Sequence, residues 1–238
     1  MQIIICDNYE EMSKVGAKIV ASQVTMKPNA VLGLATGSTP IGLYKNLIKM
    51  YEDKELDFSS VTSFNLDEYY PISPDNDQSY HYFMNENLFK SVNIKESFVP
   101  DGSGENIEKV CDEYEEKIKA YGGIDLQILG IGQNGHIGFN EPDKNLIAKT
   151  HFTDLTEDTI KANSRFFETI DQVPTKAITM GIATILSSKK IIILANGKNK
   201  HNAVKALLDD NITTDVPATM LKVHPDVVLI VDKEAYNG

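Results

Sequence analysis

The stretch LQILGIGQNGHIGFNEP, residues 126–142, decides the fold. It begins with a short apolar run, Leu126–Gly130, of strand length. Four of the chain's 15 glycines then lie between Gly130 and Pro142, with one histidine and one glutamate among them. Gly130, Gly132 and Gly135 match G-x-G-x-x-G, the turn that sets a dinucleotide pyrophosphate on a helix N-terminus. That fingerprint needs its third glycine inside a starting helix, whereas Gly138 and Pro142 here interrupt any helix within its first turns. The stretch therefore reads as a buried strand ending in an irregular cradle.

Outward from this point, short runs rich in Ile, Val and Leu alternate with longer segments of helical period. This is the pattern of a mostly parallel sheet covered on both faces, an α/β fold. The expected strands are Ile3–Cys6, Ala30–Ala35, Val61–Leu66, Leu126–Gly130, Ala177–Met180, Ile191–Ala195 and Val227–Val231. Helices are expected over Glu10–Ser22, Pro40–Tyr51, Ile107–Tyr121 and Lys198–Leu208, the second with proline at its first position. Nothing resembles a linker or a repeat, so residues 1–238 read as a single domain. The alternation lapses between Asp143 and Pro174, where an active-site lid or an added hairpin is expected.

Composition narrows the function. Lys+Arg of 23 against Asp+Glu of 34 leaves a net charge of -11, which speaks against a nucleic-acid or anionic-membrane surface. An anionic substrate would need a local basic pocket. Cys6 and Cys111 have no metal or redox spacing and read as buried free thiols, which fits a reducing cytoplasm. The N-terminal apolar run is too short for a signal peptide, and no stretch reaches transmembrane length.

Ligands of such sheets bind where the strands' carboxyl ends gather their loops. Four loops qualify. In ATGSTP, Ala35–Pro40, backbone N–H groups with Ser38 and Thr39 suit a phosphate, although either hydroxyl equally suits a helix cap. In NLDEYY, Asn65–Tyr70, one of the carboxylates Asp67 and Glu68 is expected to face the pocket and the other solvent; a carboxylate there suits proton abstraction next to a carbonyl. His136 and Glu141, five residues apart, suit an imidazole oriented by a carboxylate. Lys200 in NGKNK, with Arg165 in ANSRFF, would supply the positive pocket if both face Ser38. No H-E-x-x-H or other metal-ligand spacing is present, and no G-x-S-x-G elbow.

Taken together, LGLATGSTPIGLY, FNLDEYY, GIGQNGHIGFNEP, NSRFF and GKNK resemble the glucosamine-6-phosphate deaminase family in order and spacing over almost the full chain. The resemblance implies a three-layer αβα, Rossmann-like fold. It also implies conversion of D-glucosamine 6-phosphate and water to D-fructose 6-phosphate and ammonia, without metal or organic cofactor. By the same resemblance Asp67 is the general base moving a proton from C2 to C1, and His136 assists ring opening with Glu141 as its orienting partner. Thr36, Gly37, Ser38, Arg165 and Lys200 fall on the family's phosphate-binding positions.

Two departures stand out. Asn134 replaces an aspartate that many relatives use to complete the ring-opening group. Asparagine can accept a hydrogen bond from the imidazole but cannot stabilise an imidazolium by charge, so a different acid limb of the pH–rate profile is expected. The segment DKNLIAKTHFTD after FNEP lacks the serines and basic residues of allosteric hexameric relatives, so an unregulated enzyme of low oligomeric order, a monomer, is expected. Two alternatives share the implied fold. A 6-phosphogluconolactonase has SLFP where this chain has FNEP, and would leave Asp67 without a role. A sugar-phosphate-sensing domain would need no proton-transfer set.

Overall fold

A computed structural model of the protein describes residues 1–156, 159–160, 169 and 173–238. Its strands in chain order are β1 Gln2–Cys6, β2 Val31–Leu34, β3 Thr62–Asn65, β4 Asp67–Tyr70, β5 Glu96–Phe98, β6 Leu126–Gly130, β7 His151–Asp154, β8 Lys176–Thr179, β9 Lys190–Ala195 and β10 Val227–Asp232. The longer helices include α1 Tyr9–Met26, α2 Ile41–Glu52, α3 Tyr80–Asn87 and α4 Ile107–Ala120. Asn8 caps α1 by accepting from Glu11 N–H, and Asn106 caps α4 from Lys109 N–H. These are the short polar side chains that favour an extended backbone and reach the first turn's free donors.

Seven strands pair in parallel in the order β1-β10-β9-β6-β2-β3-β5. The central strands are buried on both faces, which is why they read as unbroken apolar runs. Ile192, Leu194, Val228 and Ile230 pack with Met12 and Val20 of α1 and Leu43 and Leu47 of α2. Ile191, Ile193, Leu229 and Val231 meet Tyr114 and Ile118 of α4 on the opposite face. Each such side chain removed from water contributes roughly 1.5–3 kcal/mol, and the two faces make the expected three layers.

The run Ala177–Met180 does not join this sheet. It forms β8, the centre of a separate antiparallel sheet in the order β4-β8-β7, with Asp67 opposite Thr179 and Thr179 opposite His151. The chain leaves the main sheet at Leu66, whose N–H still bonds Leu34 O while its carbonyl already accepts from Met180 N–H. The small sheet covers a third apolar cluster containing Tyr69, Ile72, Phe139, Leu155 and Ala177. Of the expected lid or hairpin, the described part includes β7, and residues 157–158, 161–168 and 170–172 lie outside the described residues. Cys6 and Cys111 are buried free thiols.

Candidate active site

From β2 the main sheet grows through β3 to β5, and from β6 it grows the other way through β9 and β10 to β1. The crevice between the carboxyl ends of β2 and β6 is therefore the topological switch point. The loops ATGSTP and GIGQNGHIGFNEP leave those two strands, NLDEYY leaves β3 beside them, and NGKNK leaves β9 on the other side. Four adjacent strands thus bring the four loops together.

The first loop is open to a ligand. Helix α2 starts from Pro40 with no side-chain cap, so neither Ser38 nor Thr39 is engaged in capping. Instead Tyr9 Oη takes the Gly42 N–H at 2.8 Å and donates to Ser38 O at 3.1 Å. Gly37, at φ +92°, faces open space. Thr36 is a polar neighbour of the Tyr80 hydroxyl.

Asp67 opens β4 and is 6% exposed, and its Oδ1 has no hydrogen-bond partner among the described residues. Burial first, and then the charge of Glu68, raise its pKa to about 8. Glu68 does not face solvent, as the sequence suggested; it is 2% exposed. Strand alternation turns it away from Asp67, and its carboxylate accepts the N–H groups of Tyr69, Tyr80 and His81 at 2.9, 2.8 and 2.9 Å. Burial raises its pKa to about 7 against the pull of those three donors. A single negative charge on the pair resides on Glu68, since Asp67 has no comparable donors.

The glycine-rich loop is a closed turn, with Gly132 N–H donating to His136 O at 2.9 Å and Gly135 N–H to Gly132 O at 3.1 Å. A Cβ on Gly132 would stand 2.4 Å from the His136 ring, so only glycine lets the imidazole lie on the backbone. Gly135 and Gly138 take left-handed φ values of +83° and +59°. A Cβ on Gly138 would lie 3.6 Å from Asp67 Oδ2 and 2.7 Å from Thr179 Oγ1, so this loop passes against the carboxyl group of Asp67.

Glu141 is the hub of the loop. Its Oε2 lies 3.1 Å from His136 Nδ1 and accepts from Asn134 Nδ2 at 2.7 Å, while Oε1 accepts from Thr159 Oγ1 at 2.5 Å. Burial alone would raise its pKa; the bond and charge of His136, with Thr159 and Asn134, outweigh this and hold it at about 2. A carboxylate only accepts, so Nδ1 carries the shared proton and Nε2 is left to handle substrate protons. Asn134 does not accept from the imidazole. Its oxygen takes the main-chain N–H of His136 at 3.2 Å, and its amide serves Glu141.

Lys200 ends a 3-10 turn, Lys198–Lys200, that starts from Gly197 at φ +84°. Both oxygens of Asp232 accept the Gly197 N–H at 3.0 Å, so the end of β10 ties down the loop after β9. Arg165 lies outside the described residues. The sequence reading missed Glu68's anchoring role, Tyr80, Asn140, Thr159, Thr179 and Asp232. Asn140, whose amide donates to Ile137 O and Met180 O at 2.8 Å each, was visible inside FNEP. Among the described residues no His, Cys, Asp and Glu side chains group as a metal site, and no helix is long and apolar enough to cross a membrane.

A Rossmann-like sheet with an open glycine turn, a buried carboxyl oxygen without a partner among the described residues and an oriented imidazole at its switch point defines a site built for acid–base chemistry. The chain belongs to the glucosamine-6-phosphate isomerase/6-phosphogluconolactonase family, whose model matches residues 8–229. It is 59% identical over 237 residues to a glucosamine-6-phosphate deaminase of Halothermothrix orenii, covering 99% of this chain and 98% of that one. A deaminase of Clostridium perfringens is 57% identical with the same coverage. Among solved structures, a monomeric glucosamine-6-phosphate deaminase superposes with a TM-score of 0.97 at 46% identity, covering 100% of this chain and 99% of its own. A 6-phosphogluconolactonase of Thermotoga maritima gives 0.75 at 25% identity, covering 98% and 99%.

Proposed function

We propose that this chain converts D-glucosamine 6-phosphate and water to D-fructose 6-phosphate and ammonia. The phosphate sits on the Thr36–Gly37–Ser38 turn, with Lys200 and Arg165 as its cations. His136, oriented by Glu141 and supported by Asn134, carries protons between the ring oxygen and the C1 hydroxyl as the sugar opens. Asp67 then takes the proton from C2 and returns it to C1, leaving an imine at C2. Water adds there, and the resulting carbinolamine releases ammonia.

The observation that carries this reading is Asp67, a buried carboxyl group with an unpaired oxygen against the glycine-rich loop. Its raised pKa makes it a stronger base once ionised, as abstraction from carbon requires. A lactonase moves no proton from carbon and has no use for such a group. The full-length similarity to deaminases at 56–59% identity supports the same choice. Coupled assays of ammonia and fructose 6-phosphate test it, with 6-phosphogluconolactone as the competing substrate. Ammonia release lost in Asp67→Asn is the expected result; lactone hydrolysis without ammonia release would overturn it.

The same reading takes the chain to be a cytoplasmic monomer without allosteric activation, with Thr159 of the expected lid at the site. The monomeric relative supports the oligomeric state, and the bond from Thr159 to Glu141 supports the last point. Light scattering near 26.4 kDa and hyperbolic kinetics unaffected by N-acetylglucosamine 6-phosphate are expected.

A further inference from the structure

Glu68 follows the proposed base directly, yet the proton transfers need no second acid there. Its carboxylate instead holds three main-chain N–H groups. Two of them, from Tyr80 and His81, belong to the first turn of α3, where helices leave donors unsatisfied and favour negative charge. Ser79 Oγ takes the next, from Tyr82, so side chains satisfy the start of this helix.

What the clamp holds in place is Tyr80. Its ring lies within 8° of parallel to Phe139 of the glycine-rich loop, with centroids 6.0 Å apart, and 4.6 Å from Tyr69 of β4. Its hydroxyl also has Thr36 of the phosphate turn and Tyr69 as polar neighbours. One residue therefore touches the base strand, the phosphate turn and the histidine loop. Its main chain is fixed to β4 through Glu68.

We propose that Glu68 is a positioning residue, whose three-pronged carboxylate locks β4 to α3 and so holds Asp67 in register with the loops carrying Thr36 and His136. The inference rests on the reading of Asp67 as the base. Glu68 is also the charge that acts on Asp67. Among the described residues, the other titratable groups that feel the charge of Asp67 include Tyr44 of α2, Tyr80 of α3 and Tyr114 of α4, all neutral in the working range. Across the small sheet stand the non-titratable Thr179 and then His151, whose pKa burial lowers.

Two variants separate position from charge. Glu68→Asp keeps the charge but shortens the arm, and Glu68→Gln keeps the arm but removes the charge and sets an amide against an N–H donor. Both are expected to lose about tenfold or more in kcat with KM changed far less, because ångström-scale misplacement of a reacting group costs that much. Removing a like charge lowers a neighbouring carboxyl pKa, so Glu68→Gln alone is expected to shift the acid limb of kcat/KM downward by about one pH unit. Wild-type kcat and an unmoved limb in Glu68→Gln would overturn the proposal.

A measurement without substrate keeps this distinct from the parent reading. Carboxyl ¹³C NMR of Asp67, assigned with Asp67→Asn, is expected to show the same lowered midpoint in Glu68→Gln. An unmoved midpoint refutes the inference whatever the substrate is, whereas a moved midpoint in a protein that releases no ammonia refutes only the parent reading. If neither Glu68 variant folds, Tyr80→Phe decides, because it removes the hydroxyl that faces Thr36 and Tyr69 and keeps the ring against Phe139. A several-fold drop in kcat is expected, and wild-type kcat would overturn the proposal.

Discussion

Asp67→Asn is expected to make the protein inert and, above neutral pH, sturdier. Folding raises the Asp67 pKa from 3.8 to about 8. Between those values the unfolded chain carries an ionised carboxylate while the folded chain keeps the proton, so the folded state binds more protons and loses stability as pH rises. The loss accrues at about 1.4 kcal/mol per pH unit and reaches a ceiling of about 6 kcal/mol above pH 8, part of it shared with Glu68. Asparagine has no charge to bury, but its amide leaves polar atoms without partners at a cost of about 1–3 kcal/mol. The variant is thus expected to match or fall slightly below wild type at pH 5 and to exceed it by about 3 kcal/mol at pH 8.5. For a chain of this size that is a Tm gap of about 10 °C. Scanning calorimetry of both proteins at pH 5, 7 and 8.5 measures it. A Tm difference that stays constant with pH would refute the argument, because it would mean that Asp67 does not change its ionisation on folding.

Three further outcomes are expected. Asn134→Asp places a second carboxylate 2.7 Å from Glu141, and such a pair retains one proton well above the ordinary range; potentiometric titration should count about one more proton bound at pH 6, and superimposable curves would contradict the assigned bond. Asp232→Ala frees the Gly197 N–H and loosens the turn before Lys200, so KM for the phosphorylated substrate should rise about tenfold with less effect on kcat; an unchanged KM in steady-state assays would count against it. Gly132→Ala drives a methyl group to 2.4 Å from the His136 ring, so the ring must move and kcat should fall about a hundredfold, a result that activity within twofold of wild type would disprove.

How much of this was legible depended on whether a residue's neighbours in sequence are also its partners. Strand β6 was read to the residue, and β2, β9 and β10 to within one residue at each end, because burial on both faces writes itself as an apolar run. Strand β8 was seen but assigned to the wrong sheet. Its partner β4 reads DEYY, and two acids in four residues hide a strand whose carboxyl groups are buried for other reasons. The apparent exposure of Glu68 failed for the same cause, since the N–H groups it holds lie 12 and 13 residues onward. The pairing of His136 with Glu141 was readable because both belong to one loop. The bond from Thr159 to Glu141 and the hold of Asp232 on Gly197 span 18 and 35 residues, and no local pattern announces them. Asn134 was expected to accept from the imidazole, but its amide donates to the Glu141 carboxylate instead.

The order of the main sheet has a consequence for how the molecule is made. Strand β1, residues 2–6, borders β10, residues 227–232, and β10 in turn borders β9. During synthesis β1 must wait for β10 before it can pair, and every intermediate between the two carries the run QIIIC without its neighbour. Such long-range closure is slow and leaves sticky edges exposed on the way. Asp232, which steadies the turn before Lys200, arrives with β10, so the loop after β9 is tied down only once that later strand has been made.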